Sequence, residues 1–142
     1  MKQEVLITLR GTQQYEKDKP ETVELMTRGI MLDRNGKYSI SYTETELTGT
    51  PGVVTTFFIP NSQRVILSRE GPIQSRMVFS EGVKDESLYD LGFGSLLVGI
   101  CARKIDVDLS EQGGRLRIDY TVEIEQSVTS RNSYEILVKP IK

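Results

Sequence analysis

Apolar and polar residues alternate strictly over long parts of this sequence. Every second residue between Leu116 and Glu125 is apolar and each residue between them is polar, and the same pattern runs from Lys104 to Leu109. A period of two directs successive side chains to opposite faces of a β-strand, whereas an amphipathic helix needs a period of roughly 3.6 residues. Both segments are therefore predicted as strands with one buried and one solvated face.

Glycines between these two segments predict a hairpin. The triplet Gln112-Gly113-Gly114 supplies residues that tolerate the positive φ angles of a tight turn. If Ser110 lies opposite Arg115, then Asp108 lies opposite Arg117, so opposite charges face each other across the two strands. Charge therefore favours this register over one shifted by two residues that would set Asp108 opposite Asp119.

A second hairpin is predicted at Asn35-Gly36, because this dipeptide is a strong signal for a two-residue turn. It joins strands predicted at Glu21–Asp33 and Lys37–Leu47. The resulting register puts Gly29 beside Tyr42, whose ring is expected to cover the glycine at a bend of the strand.

Further turn signals, spaced by about ten residues, predict an all-β fold. A turn is expected at Ser130-Arg131-Asn132, and the stretch from Val83 to Gly94 is predicted as a lid-like loop or one helical turn because its alternation breaks. About eight to ten strands favour a single closed antiparallel up-and-down barrel, with a two-sheet sandwich as the alternative. The remaining strands are predicted at Glu4–Arg10, Val53–Ile59, Gln63–Arg69, Ile73–Ser80, Ser95–Ala102 and Ser133–Val138.

The composition restricts the class of protein. The 142 residues include 27% charged and 37% hydrophobic residues with a net charge of −2, which is typical of one soluble domain spanning 1–142. No excess of basic residues indicates a nucleic-acid partner, and no apolar run approaches the roughly 18 residues of a membrane helix. The residues after Met1 do not form an export signal, and there is one cysteine, so we expect a cytoplasmic protein.

Several kinds of catalytic and metal site are excluded because the chain has no histidine and one cysteine. Ser-His-Asp catalysis, HExxH zinc sites and two-cysteine redox sites all need residues that are missing. Cys101 follows the apolar run Leu96–Ile100, where a buried thiol is a poor nucleophile. We therefore expect no metal and no cofactor.

Two carboxylates on one strand form the most interesting polar group. Glu44 and Glu46 share a strand face with Tyr42, so they either enter the barrel about 7 Å apart as an acid and base pair or lie in water at the rim. Arg69 is a candidate partner for a buried glutamate, since such a carboxylate seldom lacks one. With Ser75, these residues are predicted to form a polar floor or mouth.

Aromatic residues provide weaker candidates. Tyr120 and Tyr134 are predicted as core rings, with stacking on a ligand as the alternative that makes Tyr120 a candidate binding residue. The doublet Phe57-Phe58 directs one ring to each face of its strand, so one ring is expected in the core and the other in an outer patch. Such a patch is a possible homodimer contact.

Short motifs spread over nearly the whole chain carry a family resemblance. They are Arg10-Gly11-Thr12-Gln13, Tyr38, Ser41-Tyr42, Glu44, Leu47-Thr48-Gly49, Ser75, Met77–Phe79, Gly94, and Leu109 through Gly113-Gly114 to Tyr120. With these motifs the sequence resembles the YwiB-like family of uncharacterised bacterial proteins. The resemblance implies a small closed barrel of the calycin type, similar to lipocalins and fatty-acid-binding proteins, and so an interior cavity. It implies no activity, cofactor or catalytic residue.

Three functions are consistent with the sequence. The first is a non-enzymatic barrel that binds a small, partly apolar molecule inside, with Tyr42, Glu44, Arg69 and Ser75 at the mouth. The second is a hydrolase or isomerase that uses Glu44 and Glu46, which requires both carboxylates in one cavity and a raised pKa for at least one of them. The third is a protein-interaction or regulatory module that acts through an outer sheet face.

Overall fold

The computed structural model describes residues 1–15, 18–46, 50–72, 74–90 and 94–141, with the backbone alone at 89 and 90. In the described ranges the chain forms strands and turns, and no helix has the length and apolar character needed to cross a membrane. The predicted strand start at Ile73 and the motif Leu47-Thr48-Gly49 lie outside these ranges. The strands are β1 Lys2–Tyr15, β2 Glu21–Arg34, β3 Lys37–Thr43, β4 Val54–Asn61, β5 Arg64–Glu70, β6 Ser75–Ser80, β7 Lys84–Asp90, β8 Ser95–Ser110, β9 Gly113–Ile124 and β10 Ser127–Pro140.

The strands form one antiparallel sheet that curls into a nearly closed barrel. Their order is β6-β5-β4-β3-β2-β1-β10-β9-β8-β7, so strands that are consecutive in the chain are neighbours in the sheet, except for β6 and β7, which lie at its two edges. The first and last strands also pair, from Val5 opposite Pro140 to Tyr15 opposite Ser130. The prediction of an all-β, up-and-down antiparallel barrel is confirmed, and the sandwich alternative is wrong.

The remaining seam lies between β6 and the β7–β8 pair. Glu81 forms an isolated parallel bridge with Ala102, and the Gly82 amide donates to the Ala102 carbonyl at 2.9 Å. The Glu81 carboxylate also accepts a hydrogen bond from the Ile105 amide at 2.8 Å. Contacts made by the connection between β6 and β7 therefore hold the seam, which has no continuous ladder of backbone hydrogen bonds.

The two ends of the barrel differ in their connections. At one end, which we call the closed end, the strands are joined through residues 35–36, 62–63, 81–83 and 111–112. At the other, the open end, they are joined through 16–20, 44–53, 71–74, 91–94 and 125–126. The longer connections are therefore gathered at the open end.

Aliphatic and aromatic side chains fill the interior toward the closed end. The alternating positions of the strands face inward there, as the sequence pattern predicts. Their burial removes them from water and is the main favourable term in folding. Apart from Val53 in the open-end connection 44–53 and Phe57 beside the open end, the largest fully buried side chains belong to this packed interior: Phe79, Ile7, Met31, Ile40, Ile59, Leu116, Ile118, Ile136, Val5 and Val65.

The predicted register of the β8–β9 hairpin is wrong by two residues. Ser110 lies opposite Gly113, so the turn is made by 111–112 and both glycines belong to β9. A Cβ atom on Gly113 would collide with the Val138 carbonyl, and one on Gly114 with the Asp108 carbonyl. Both glycines have the predicted positive φ angles, 87° and 137°, but they use them at the start of β9, where strands approach closely, and not in the turn itself.

The observed register also places opposite charges across from each other. Asp108 lies opposite Arg115, and Asp106 lies opposite Arg117. Charge complementarity therefore did not distinguish the two registers, because acidic residues alternate along β8 in the same way as arginines along β9.

The β2–β3 hairpin is as predicted, with positive φ angles of 56° at Asn35 and 82° at Gly36. However, the atoms that a Cβ on Gly29 would meet belong to the Ser41 carbonyl and the Ile7 side chain, and not to the Tyr42 ring. The expected aromatic cover is therefore wrong. Gly29 instead permits a close approach of backbones, next to the point where the β2–β3 ladder stops.

Two local predictions are wrong for a shared reason. Lys84–Asp90 forms a strand rather than a loop or helical turn, and Ser130–Asn132 lies within β10 rather than in a turn. The turn before β10 uses Glu125 and Gln126, with φ angles of 51° and 69°. In both places backbone pairing with a neighbouring strand decides the structure, and side-chain pattern gives little signal.

Candidate functional site

An open cavity of about 370 Å³ lies in the open half of the barrel. It forms where β2 separates from β3, because their ladder ends at Ile30 opposite Ser41 while β2 continues alongside β1 to Glu21. Residues from β1–β5, β9 and β10, and Glu44 from the connection after β3, line it: Leu9, Gly11, Thr12, Gln13, Glu21, Val23, Leu25, Tyr42, Glu44, Thr55, Phe57, Leu67, Arg69, Tyr120, Asn132, Ser133 and Tyr134.

A buried ion pair is the main polar feature of this cavity. The Glu44 side chain is 4% exposed, and Arg69 holds it side-on through Nε at 3.0 Å from Oε2 and Nη2 at 2.8 Å from Oε1. The Thr55 hydroxyl donates to Oε2, and the Thr50 amide donates to Oε1 at 2.9 Å. Four hydrogen bonds therefore fix the carboxylate in one orientation.

The sheet register explains why these residues meet. Tyr42 on β3 lies opposite Thr55 on β4, and Thr55 lies opposite Arg69 on β5, so the three form a row across neighbouring strands. Glu44 lies two residues beyond Tyr42 and continues its inward face. The prediction that Arg69 is the partner of a buried glutamate is confirmed.

The pair is ionised at neutral pH. Hydrogen bonds from Arg69 lower the pKa of Glu44 from 4.5 to about 2, and they outweigh burial, which raises it. Hydrogen bonding to Glu44 likewise raises the pKa of Arg69. Glu44 is thus a poor general acid, because it holds no proton in the range where most enzymes work.

Tyrosines supply neutral hydroxyl groups at the same site. Burial, followed by the charge of Glu44, raises the pKa of Tyr42, and burial raises the pKa of Tyr120. Both hydroxyls therefore stay protonated at neutral pH. They can donate and accept hydrogen bonds but do not supply negative charge.

Aromatic rings form the floor between the cavity and the packed core. Tyr120 and Tyr134 stack with centroids 5.7 Å apart. Phe79 meets Tyr120 edge-on at 4.8 Å, and Phe57 meets Tyr134 edge-on at 6.0 Å. These contacts fix the rings, so the floor is preformed.

The structure brings together four of the six candidate binding residues. Tyr42, Glu44, Arg69 and Tyr120 line the cavity, whereas Glu46 and Ser75 do not. Both of these are exposed: Glu46 lies in the connection after β3, and Ser75 is the first residue of β6. The two glutamates therefore have different environments, and neither the paired-acid hypothesis nor the shared-rim hypothesis describes them.

Sequence reasoning missed Thr55, Gln13 and Asn132 among the lining residues. A signal existed for Thr55, since it lies between Val53 and Phe57 on the inward face of β4 and is itself 3% exposed. A hydroxyl at an inward position among apolar residues indicates a polar contact inside the barrel.

Comparisons with known proteins place the chain in a family. Residues 7–136 match the family described as a domain of unknown function, DUF1934. The chain is 30% identical over 125 residues to the uncharacterised β-barrel protein YwiB of Bacillus subtilis strain 168, covering 87% of this chain and 86% of that protein.

A solved structure shares the fold. The crystal structure of the ywiB protein from Bacillus subtilis superposes with a TM-score of 0.71 at 18% sequence identity, covering 99% of this chain and 94% of that chain. Because the family match spans most of the sequence, the chain belongs to the DUF1934 family of uncharacterised β-barrel proteins, as the motif resemblance predicted.

Proposed function

We propose that this protein binds one small amphipathic molecule in the cavity at its open end. The observation that carries the proposal is the position of the Glu44–Arg69 pair, which borders a void of about 370 Å³ inside the barrel. A volume of this size is within the range of roughly 300–1,000 Å³ that is typical of small-molecule sites.

The apolar wall would hold the apolar part of the ligand. Leu25, Phe57 and Leu67 line the cavity from three different strands, and the ring of Tyr134 borders it from a fourth. Contact with these side chains would remove apolar ligand surface from water. The stacked tyrosines limit its depth, so a short molecule fits better than a long acyl chain.

The polar part of the ligand would be held by Arg69. A guanidinium has five N–H donors, and the described bonds to Glu44 use one on Nε and one on Nη2. The remaining donors suit an acceptor such as a carbonyl or a carboxylate oxygen. Because Glu44 neutralises Arg69, recognition would depend on hydrogen-bond geometry more than on net charge.

Binding is preferred to catalysis by the two glutamates. A Glu44 and Glu46 mechanism needs both carboxylates in one cavity and one raised pKa. Glu46 is exposed and outside the cavity lining, and the pKa of Glu44 is lowered to about 2. The two conditions of the hydrolase or isomerase hypothesis, a shared cavity and a raised pKa, are therefore not met by Glu44 and Glu46.

Native mass spectrometry of protein purified from bacterial cells tests the proposal. We expect an additional mass, retained by the wild type and lost in Val23→Trp, which narrows the cavity at an exposed lining position. The amphipathic dye 1-anilinonaphthalene-8-sulfonate serves as a defined probe, and we expect one bound dye per chain.

Arg69→Met and Arg64→Met form a matched pair for the dye measurement, because Arg64 is exposed and does not line the cavity. We expect weaker dye binding in the first variant and unchanged binding in the second. A wild type with neither a retained mass nor saturable dye binding would overturn the proposal.

A further inference from the structure

One edge of β2 has no neighbouring strand over much of its length in the described part of the chain. β2 pairs with β1 from Leu32 to Glu21, but with β3 only from Arg34 to Ile30. The segment 21–28, which we call the β2 edge, therefore has a partner on one side alone. Such a row of unpaired backbone groups is a template for an added strand.

The β2–β3 hairpin indicates which backbone groups point outward. Arg34 and Lys37 flank a two-residue turn and form a hydrogen-bonded pair, and residues directed toward β3 alternate from there along β2. Beyond the end of the ladder, these residues are Arg28, Met26 and Glu24. Their N–H and C=O groups point away from β1 toward the missing neighbour, and among them the Arg28 carbonyl accepts a long hydrogen bond of 3.4 Å from the Thr27 hydroxyl.

The side chains of this edge are unusual for a solvated strand. Met26 is apolar and yet 63% exposed, on the same outer face as Glu24 and Arg28, whereas Val23 lies on the other face, which lines the cavity. Arg28 makes no ion pair within the described ranges, and Glu24 reaches Arg10 only at 4.0 Å on the open surface. Apolar surface and a free cation therefore lie together on an unpaired edge.

We propose that the β2 edge pairs antiparallel with the β2 edge of a second copy of this chain, across a two-fold axis at Met26. In this register Glu24 lies opposite Arg28 of the second copy, and Met26 lies opposite its own equivalent. The paired segment is limited to 24–28, because β3 occupies the edge from Ile30 onward, so residues 21–23 of each copy bend away from the β3 of the other. The three outward-pointing residues of each copy then exchange hydrogen bonds with each other. Two symmetry-related charge pairs flank a central apolar contact.

Charge favours this register over registers that are shifted by two residues. A shift of the second copy by two residues keeps the backbone alternation but sets Glu24 opposite Met26, so both charge pairs are lost. Charged residues on an exposed edge usually disfavour pairing with unrelated strands. Here Glu24 and Arg28 are complementary to Arg28 and Glu24 of a second copy. A second copy of this chain is therefore the occupant that the edge fits.

The same pairing would complete the wall beside the cavity. Leu25 lines the cavity from the β2 edge, and in the proposed register it lies opposite Thr27 of the second copy. The partner would thus contribute a side chain near the mouth. The pairing itself does not depend on a ligand, so its test is independent of the proposed function.

Analytical ultracentrifugation of the whole chain, over a range from micromolar to millimolar concentration, tests the proposal. We expect a reversible dimer for the wild type. Glu24→Arg and Arg28→Glu are each expected to raise the dissociation constant by about tenfold or more, because two pairs become repulsive at once. The double variant Glu24→Arg/Arg28→Glu restores opposite charges and should return the constant to near the wild-type value.

Arg64→Glu is the matched control, since it reverses the charge of an exposed arginine on β5, away from the β2 edge. We expect it to leave association unchanged, and circular dichroism of every variant verifies folding. A wild type that stays monomeric throughout the range would overturn the proposal. So would a dimer that is insensitive to both single reversals, or one that the double variant fails to restore, because each would place any association on another surface.

Discussion

The closed and open ends of this barrel are made from the same strands, but their interiors are filled differently. Toward the closed end the inward positions are apolar and buried, as at Ile7, Leu116 and Ile136. Toward the open end they include Glu44, Arg69 and three tyrosines around a void. The difference indicates that one end provides most of the folding stability, while the other holds groups suited to recognition.

The largest expected effect is on stability at the closed end. Leu116 is 0% exposed and does not line the cavity. Leu116→Ala should lower the free energy of unfolding by about 3–4 kcal/mol, because it removes buried methyl groups and leaves a void. Urea denaturation measures this, and dye binding to the folded variant should be unchanged. A loss below about 1 kcal/mol would contradict the assignment of stability to this end.

A smaller loss is expected when the ion pair at the open end is broken. Arg69→Met leaves the Glu44 carboxylate buried without its cationic partner, which should cost about 2 kcal/mol since Arg69 itself is one-third exposed. The same denaturation measurement applies. The double variant Glu44→Gln/Arg69→Met should recover part of the loss, because no unpaired charge remains. If the double variant were no more stable than the single one, the pair would not be coupled.

The open end should also make stability depend on acidic pH. Folding lowers the pKa of Glu44 from 4.5 to about 2, so the unfolded chain takes up the proton more readily. The contribution of Glu44 is therefore complete above about pH 4.5 and is lost as the pH falls toward 2. We expect it to be about 2 kcal/mol.

Denaturation at several pH values, compared with Glu44→Gln/Arg69→Met, isolates this contribution. The difference in stability between the two proteins should shrink over the acidic window. A difference that stays constant from pH 5 to about pH 2 would show that Glu44 is not held by Arg69 as described.

The smallest effect is expected at Glu46, which is a control for Glu44 because it is the same residue type two positions further along the chain. Its side chain is exposed and lies outside the cavity lining. Glu46→Gln should change the free energy of unfolding by no more than about 0.5 kcal/mol and leave dye binding unchanged. A larger change in either measurement would mean that Glu46 also contributes to stability or to binding at the open end.

Much of the fold followed from sequence because alternation and turn chemistry act locally. The strand from Leu116 onward and the turn at Asn35-Gly36 were both predicted correctly. Lys84–Asp90 was not predicted, since an edge strand with polar residues on both faces has no period to detect. The β8–β9 register was missed because acidic residues and arginines alternate in step, so two registers satisfy the charges.

The site was predictable in part for a related reason. Periodicity placed Tyr42 and Glu44 on one inward face and suggested Arg69 as the partner. It could not separate Glu44 from Glu46, because both lie beyond the end of β3 at Thr43, where strand alternation no longer determines the direction of a side chain. Thr50 and Thr55 lie only 6 and 11 residues after Glu44, and the inward position of Thr55 was a signal of a polar contact, but its pairing with Glu44 depends on the β3–β4 register, which alternation alone does not give.

The ladder between β1 and β10 has a consequence for how the molecule forms. Residues near opposite ends of the sequence, such as Val5 and Pro140, are direct neighbours. The barrel wall therefore cannot be completed until β10 has been synthesised, and bringing such remote segments together is slow. During synthesis β1 would carry an unpaired side, so nascent chains are expected to need protection from aggregation until the last strand arrives.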